Sequence, residues 1–148
     1  MFGENAGWNR RRCLGKEWKQ NMHMGKSYQV SAKVDEGMLA SALGSGDVGV
    51  LATPVMLSLM EQAACACVQD CLKEGETTVG AQIDLAHISA VPAGMEITAT
   101  AEIIKIEGKK VLFKIFCEDR EGIVGKGTHL RLIVNRDKFQ QRAAAKVK

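Results

Sequence analysis

The sequence predicts an α+β protein in which a curled antiparallel β-sheet wraps around one central, buried α-helix. Between Thr53 and Gln69 the only charged residue is Glu61, and apolar residues occur on every side of the helical repeat. This pattern is typical of a helix that is buried nearly all round. The chain that follows has the pattern of four consecutive antiparallel strands, with clear alternation of apolar and polar residues from Met95 to Glu107. A flat sheet cannot cover such a helix, so the sheet must curl around it or a second copy must cover the exposed remainder.

The elements before the helix are one strand and a glycine-rich connection. Apolar and polar residues alternate over Tyr28–Val34, which predicts a short strand. Asp35–Val50 contains four glycines and predicts a loop with at most one helical turn near Met38–Leu43. Because this loop lies directly ahead of the helix it is a candidate lid, although a plain connection explains it equally well.

Both ends of the helix carry recognisable signals. Thr53 is a good N-cap, and Pro54 suits the first helical position, where its missing N–H costs nothing. We expect the helix to end near Cys71–Gly75, with Gly75 as the residue that stops it.

The second half of the sequence predicts four strands. They run over Thr77–Ala90, Met95–Ile106, Val111–Cys117 and Ile123–Val134. The alternation slips by one residue at Ile103–Ile104, which predicts a β-bulge. Glu107–Lys110 and Asp119–Gly122 are the expected turns. Asn135 is expected to cap a short C-terminal helix running towards Ala145.

The net charge of +3 over 148 residues comes from one end of the chain. Met1–Asn21 holds five basic and two acidic residues, whereas the remainder holds fifteen of each. We expect Met1–Asn21 to be a disordered leader or a non-native extension, and residues 22–148 to form a single domain. A balanced domain gives no indication of nucleic-acid binding. No apolar run approaches the roughly 20 residues that a membrane span requires.

The cysteines indicate a reducing compartment. There are five, at positions 13, 65, 67, 71 and 117, and an odd, crowded set is not a disulfide framework, which favours a cytoplasmic location. Cys65 and Cys67 would point about 160° apart on a helix, so buried core residues are expected rather than metal ligands. No Walker loop, G-x-G-x-x-G motif or zinc spacing is present, and we expect no cofactor.

Glu61 is the first candidate functional residue. A carboxylate in the middle of a buried helix costs several kcal/mol unless it is paired or protonated. It either makes a structural hydrogen bond to a neighbouring backbone group or serves as an acid/base or orienting group facing a cleft. The absence of any other charge on the helix favours the functional interpretation.

His87 and Thr53 are the next candidates. His87 shares the inward face of its strand with Ile83 and Leu85. A lone inward histidine is usually a core residue, but a carboxylate partner would make it a base. Thr53 has a sufficient role as a cap, yet a helix start also suits a nucleophile or a water-positioning group. Eight residues of helix, roughly 12 Å, separate Thr53 from Glu61, so His87 or a second chain must bridge a site that uses both.

His129 and Arg131 lie on the last predicted strand. They alternate with Thr128, Leu130 and Leu132, and this pattern predicts a solvent-facing or interface face. A functional role is the weaker alternative for both residues.

Several short motifs, in their order and spacing, resemble a known family. They are Ala52-Thr53-Pro54, Leu59-Met60-Glu61, Val79-Gly80-Ala81, Leu85-Ala86-His87, Pro92-Ala93-Gly94 and Gly125-Lys126-Gly127-Thr128-His129-Leu130-Arg131. Through these motifs the chain from Tyr28 to Phe139 resembles the hotdog-fold thioesterases of the fluoroacetyl-CoA thioesterase-like group. The resemblance implies a hotdog fold, an assembly as a homodimer or a dimer of dimers, and hydrolysis of an acyl-CoA to a free acid and CoA.

The resemblance also implies the site residues. Thr53, Glu61 and His87 match the family's catalytic set, and Gly80 matches a glycine that lines the thioester site. His87 and Glu61 are then expected to activate water or Thr53, and both routes remain open. The family's lid carries phenylalanine, whereas Gly44–Val50 holds no aromatic residue, which favours an acyl group other than fluoroacetyl. The alternative function is a non-catalytic acyl-CoA-binding or sensing module that uses the same cleft.

Overall fold

The computed structural model describes residues 22–147. The expectation for Met1–Asn21 lies outside these residues. In chain order the elements are β1 (Ser27–Lys33), a 3₁₀ turn (Glu36–Met38), α1 (Ala40–Leu43), α2 (Thr53–Gln69), β2 (Glu76–His87), β3 (Glu96–Glu107), β4 (Lys110–Asp119), β5 (Gly122–Asn135) and α3 (Arg136–Ala144). No helix within residues 22–147 is long and apolar enough to cross a membrane.

The five strands form one antiparallel sheet in the order β1-β3-β4-β5-β2. Strands β3, β4 and β5 pair in sequence order, but β2 pairs with β5 rather than with β3. Between β2 and β3 the chain therefore crosses from one edge of the sheet to a position beside β1 at the opposite edge. As a result β2 is an edge strand, and within the described chain its outer side has no strand partner.

Helix α2 packs on the sheet mainly against β1 and β3, so the predicted arrangement of one long helix and a curled antiparallel sheet is confirmed. Its buried residues are Met56, Leu59, Met60, Ala63, Ala64, Ala66, Cys67 and Val68. Ser58, Gln62 and Gln69 remain exposed. The prediction of burial nearly all round is therefore wrong for one chain, because the sheet covers only part of the helix surface.

Both helix-end assignments need correction. The N-cap of α2 is Ala52, and Thr53 is already helical; its hydroxyl is not used as a cap and instead lies against His87. The helix ends at Gln69 with Asp70 as C-cap. Gly75 does not stop the helix but forms the turn into β2, where its positive φ of 85° favours glycine.

The strand irregularities are of two kinds. The bulge predicted at Ile103–Ile104 is confirmed by a register shift between Ile103 and Lys105. A second shift, between Gly80 and Gln82 on β2, was not predicted. Because it inserts one residue, it leaves Gly80 on the same face of the sheet as Ile83 and the residues that follow it in alternation. The Asn135 cap is also confirmed, since its side chain accepts the Lys138 N–H at 2.9 Å.

We predict that Gly127→Ala destabilises the fold. A Cβ at Gly127 would lie 1.8 Å from the Asp84 carbonyl oxygen on the paired strand β2, and backbone cannot move aside as a side chain can. The expected loss is about 3 kcal/mol of unfolding free energy, measured by urea denaturation. Gly49→Ala is the matched control, because its Cβ would make only an ordinary 3.9 Å contact. Equal stability of the two variants would contradict this packing.

Candidate active site

Thr53 and His87 form one half of the candidate site. The first residue of α2 and the last residue of β2 meet here, and Thr53 Oγ1 lies 2.7 Å from His87 Nδ1. The expected inward face of β2 is confirmed, since Ile83, Leu85 and His87 are half-buried while the intervening residues are exposed. His87 Nε2 is buried and has no hydrogen-bond partner among the described residues. This pair can pass a proton between a hydroxyl and an imidazole, but one ring nitrogen is left unpaired.

Glu61 lies at a different place, next to Gly80. Its Oε2 accepts a hydrogen bond from Arg131 Nη1 at 3.1 Å, and the side chain keeps 43% of its exposure. The expectation of a buried acid is therefore corrected: Glu61 is half-exposed and ion-paired. A Cβ at Gly80 would lie 2.6 Å from that same oxygen. Only glycine at this position leaves the carboxylate where it is.

Arg131 is held rigidly from three sides. Its Nε donates to Thr78 Oγ1 at 2.9 Å, and its Nη2 donates to the Thr78 carbonyl at 3.1 Å. The remaining Nη1 lies 3.1 Å from His129 Nε2 as well as 3.1 Å from Glu61. A planar guanidinium with these bonds has little freedom left, so it fixes the orientation of the carboxylate.

His129 is a neutral member of this network. Its Nδ1 donates to the Gln82 carbonyl at 3.0 Å, which leaves Nε2 to accept from Arg131. Burial lowers the pKa of His129, and the Arg131 charge lowers it further against the opposing effects of the Gln82 bond and Glu61. The 3.8 Å approach of His129 Nε2 to Glu61 is therefore not an ion pair.

One chain does not bring the three expected catalytic residues together. Glu61 lies eight residues along α2 from Thr53, roughly 12 Å. Gly80, which marks the position of Glu61, lies seven residues along β2 from His87, roughly 20 Å. The Thr53–His87 pair and the Glu61–Gly80–Arg131 group are therefore separate within the protomer, as the helical spacing predicts.

An open cleft of about 380 Å³ lies beside the carboxylate group. It is lined by Ser58, Glu61, Gln62, Cys65, Ala66, Gln69 and Arg131. All of these residues except Arg131, which lies on β5, belong to α2. The cleft therefore joins the candidate site to the open side of the helix.

The cysteines of the described chain are free thiols and do not form a metal site. Cys67, Cys71 and Cys117 are buried, as expected for core residues, whereas Cys65 is only half-buried at the cleft. Burial raises the pKa of Cys67 to about 12 and of Cys71 to about 11, so both remain protonated thiols. Within residues 22–147 no group of histidine, cysteine and acidic side chains could hold a metal ion.

The sequence predicted a solvent-facing or interface face for His129 and Arg131. His129 is 1% exposed and Arg131 is 6% exposed, so the solvent-facing alternative is wrong. The alternation of β5 correctly put both residues on one face, but it could not show that this face turns towards Glu61. The sequence did contain a signal for this position. It placed an arginine and a histidine on one strand face, in a protein whose buried helix carries a single carboxylate.

Known proteins share this arrangement of elements. The family model described as fluoroacetyl-CoA-specific thioesterase, FlK, matches residues 34–137. The fluoroacetyl-CoA thioesterase of Streptantibioticus cattleyicolor is 33% identical over 97 residues, which cover 66% of this chain and 70% of that enzyme. The chain belongs to the fluoroacetyl-CoA-specific thioesterase family.

Solved structures agree with this membership of the fluoroacetyl-CoA-specific thioesterase family. A variant of FlK in complex with acetyl-CoA superposes with a TM-score of 0.81 at 26% identity, covering 86% of this chain and 100% of that one. A hot-dog-like protein from Thermanaerovibrio acidaminovorans gives a TM-score of 0.80 at 20% identity, with coverage of 89% and 98%. The fold is therefore the hotdog fold, as expected.

We predict that His129 makes the stability of the protein fall in mild acid. Its pKa is lowered in the folded state, so the unfolded chain binds the proton more readily. The contribution of His129 to the free energy of unfolding is therefore fully present above about pH 6.5, the ordinary histidine pKa. This contribution is lost as the pH falls below that value. In thermal denaturation from pH 8 to pH 5, His129→Asn should flatten this part of the profile. Parallel profiles for the two proteins would contradict the assignment.

Proposed function

We propose that this protein is an acyl-CoA thioesterase that hydrolyses a thioester to a free acid and CoA. Membership of the fluoroacetyl-CoA-specific thioesterase family supports this activity. The observation that carries it in this chain is the 2.7 Å contact between Thr53 Oγ1 and His87 Nδ1 at the start of α2. A hydroxyl in contact with an imidazole is a pair that can activate a nucleophile.

The proposed chemistry begins with proton transfer to His87. Nδ1 accepts the proton either of the Thr53 hydroxyl or of a water that Thr53 holds, and the oxygen attacks the thioester carbonyl. We assign the polarisation of that carbonyl to the Thr53 N–H at the helix start, since Pro54 has no N–H and the Val55 N–H bonds to Ala52 at 3.0 Å. Protonated His87 then returns the proton to the leaving CoA thiolate. Where water attacks, this step leaves the free acid. Where Thr53 attacks, it leaves an acyl ester on Thr53; His87 then takes a proton from a water that attacks this ester, and returns it to the Thr53 oxygen as the free acid leaves.

We further propose that Glu61 acts on His87 across a homodimer. Nε2 of His87 is buried without a partner, and an imidazole that works as a base is commonly oriented by a carboxylate. Glu61 of the same chain is too far away and is held by Arg131. A carboxylate from a second copy would satisfy the unpaired nitrogen and complete the set of Thr53, His87 and Glu61.

The outer edge of β2 supports this assembly. It is a strand of 12 residues with no partner on one side within the described chain, and such edges pair readily with another chain. Two β2 strands related by a two-fold axis at Asp84 would set His87 opposite Gly80 of the partner subunit, with Ala81 as the extra residue of the bulge. The bulge at Gly80 keeps both residues on the same face of the sheet. A dimer of dimers would need an additional interface.

We propose an acyl group other than fluoroacetyl as that of the substrate, and a cytoplasmic location. Gly44–Val50 holds no aromatic residue and is exposed almost throughout, so it offers no aromatic wall to a fluorinated group. The free thiols Cys65, Cys67, Cys71 and Cys117 support a reducing compartment. Neither a cofactor nor a metal enters the proposed reaction.

We predict that His87→Ala lowers kcat about 10²- to 10⁴-fold, because the base is lost. The assay measures free thiol release from a panel of acyl-CoA esters. Thr53→Ala should abolish turnover if Thr53 attacks, and should leave a reduced rate if it only holds water. Wild-type turnover in His87→Ala would exclude the proposed mechanism. Tight binding of acyl-CoA by the wild-type protein without hydrolysis would favour the alternative, a binding or sensing module.

We predict that Gly80→Ala is folded but poorly active. The added Cβ would meet Glu61 Oε2 at 2.6 Å, and the flexible carboxylate can move away while the backbone stays. Displacement of a catalytic group by about 1 Å can cost about 10²-fold in rate. Turnover and thermal midpoint are measured together, with Gly46→Ala as a control whose Cβ would make a 3.4 Å contact with Ala40. An unchanged kcat in folded Gly80→Ala would argue against a role for Glu61.

A further inference from the structure

The end of the Met56 side chain fills the space beside His87. A Cβ at Gly125 would lie 2.5 Å from Met56 Cε and 2.7 Å from Met56 Sδ, so the methionine occupies the volume that another residue would take there. Gly125 is the partner of His87 in the pairing of β2 with β5. Met56 is fully buried. The thioether therefore forms the inner wall next to the catalytic imidazole.

Met56 also lies on the Thr53 side of the helix. The two residues are three positions apart on α2, a spacing that places side chains on one face. The hydroxyl of Thr53, the ring of His87 and the thioether of Met56 thus follow each other from the exposed helix start inwards. Met56 itself belongs to the apolar core, whose other buried members include Leu51 and Val124.

The direction of an acyl group at this site follows from its chemistry. CoA is large and charged, so it must leave the thioester towards solvent. The acyl group is attached to the opposite side of the same carbonyl and therefore extends inwards, away from the exposed Thr53 end. In that direction it meets the end of Met56.

We propose that Met56, seated over Gly125, sets the upper length of the acyl group that the enzyme accepts. This rests on the proposed thioesterase function. As the side chain stands, it is fully buried and closes the inner side of the space beside His87. Methionine is unbranched and adaptable, so removing its Cγ, Sδ and Cε atoms would extend the pocket along the line of the acyl chain without changing any group that reacts.

The test compares Met56→Ala with Met60→Ala across a series of acyl-CoA esters from acetyl to octanoyl. Met60 is an equally buried methionine on the same helix, so its loss creates a similar cavity one turn further on. We expect Met56→Ala to raise the ratio of kcat/KM for hexanoyl-CoA over acetyl-CoA about 10-fold or more. Met60→Ala should leave that ratio near the wild-type value.

Two further variants keep the test decisive if Met56→Ala does not fold. Met56→Leu nearly conserves volume and should fold, with a smaller shift in the same direction. Gly125→Ala should act in the opposite direction, because its Cβ pushes the thioether towards His87, and should reduce turnover of the longer esters of the series first. An unchanged chain-length profile in the folded Met56 variants, or an equal shift in Met60→Ala, would overturn the inference.

The outcomes also separate this inference from the proposed function. If wild-type protein hydrolyses acyl-CoA and the profile does not respond to Met56, the inference fails and the thioesterase stands. If wild-type protein hydrolyses none of the esters, the proposed function fails, and the inference fails with it.

Discussion

The rigid spacing of helix α2 is the constraint on which the site depends. Eight residues of helix hold Thr53 and Glu61 roughly 12 Å apart, and no side-chain movement within one chain can close that gap. The sheet reinforces the separation, because His87 is the last residue of β2 and Gly80 lies seven residues before it. Each group is held by its own hydrogen bonds. Thr53 contacts His87 in one group, and Arg131 holds Glu61 in the other. A reaction that uses both needs two chains.

Three glycines leave space for neighbouring groups at or near the candidate site. Gly80 leaves room for the Glu61 carboxylate, Gly125 leaves room for the end of Met56, and Gly127 allows β5 to approach the Asp84 carbonyl. None of the three has a positive φ. These glycines are therefore needed because they lack a side chain, and not because of an unusual backbone conformation. In each case the space is filled by a group from an element other than the glycine's own.

The sequence predicted the elements well and the relations between them less well. Alternation, apolar runs and turn residues predicted every strand, and the phase slip located the bulge at Ile103–Ile104, because these signals are local. Pairing of β2 with β5 rather than β3 is a property of the whole sheet and leaves no local mark. The same holds for Arg131: its alternation was clear, but only the packing of α2 shows that its face is buried. Thr53 was assigned as a cap because local rules do not include a histidine 34 residues away.

Mixing two inactive variants tests the shared site most directly. His87→Ala and Glu61→Gln chains, carrying different tags, are co-expressed, and the mixed dimers are purified through both tags. If His87 of one chain works with Glu61 of the other, each mixed dimer holds one site with both defects and one intact site. It should then recover about half the wild-type activity per dimer, while each pure variant stays inactive. Mixed dimers as inactive as the pure variants would contradict a site built from two chains.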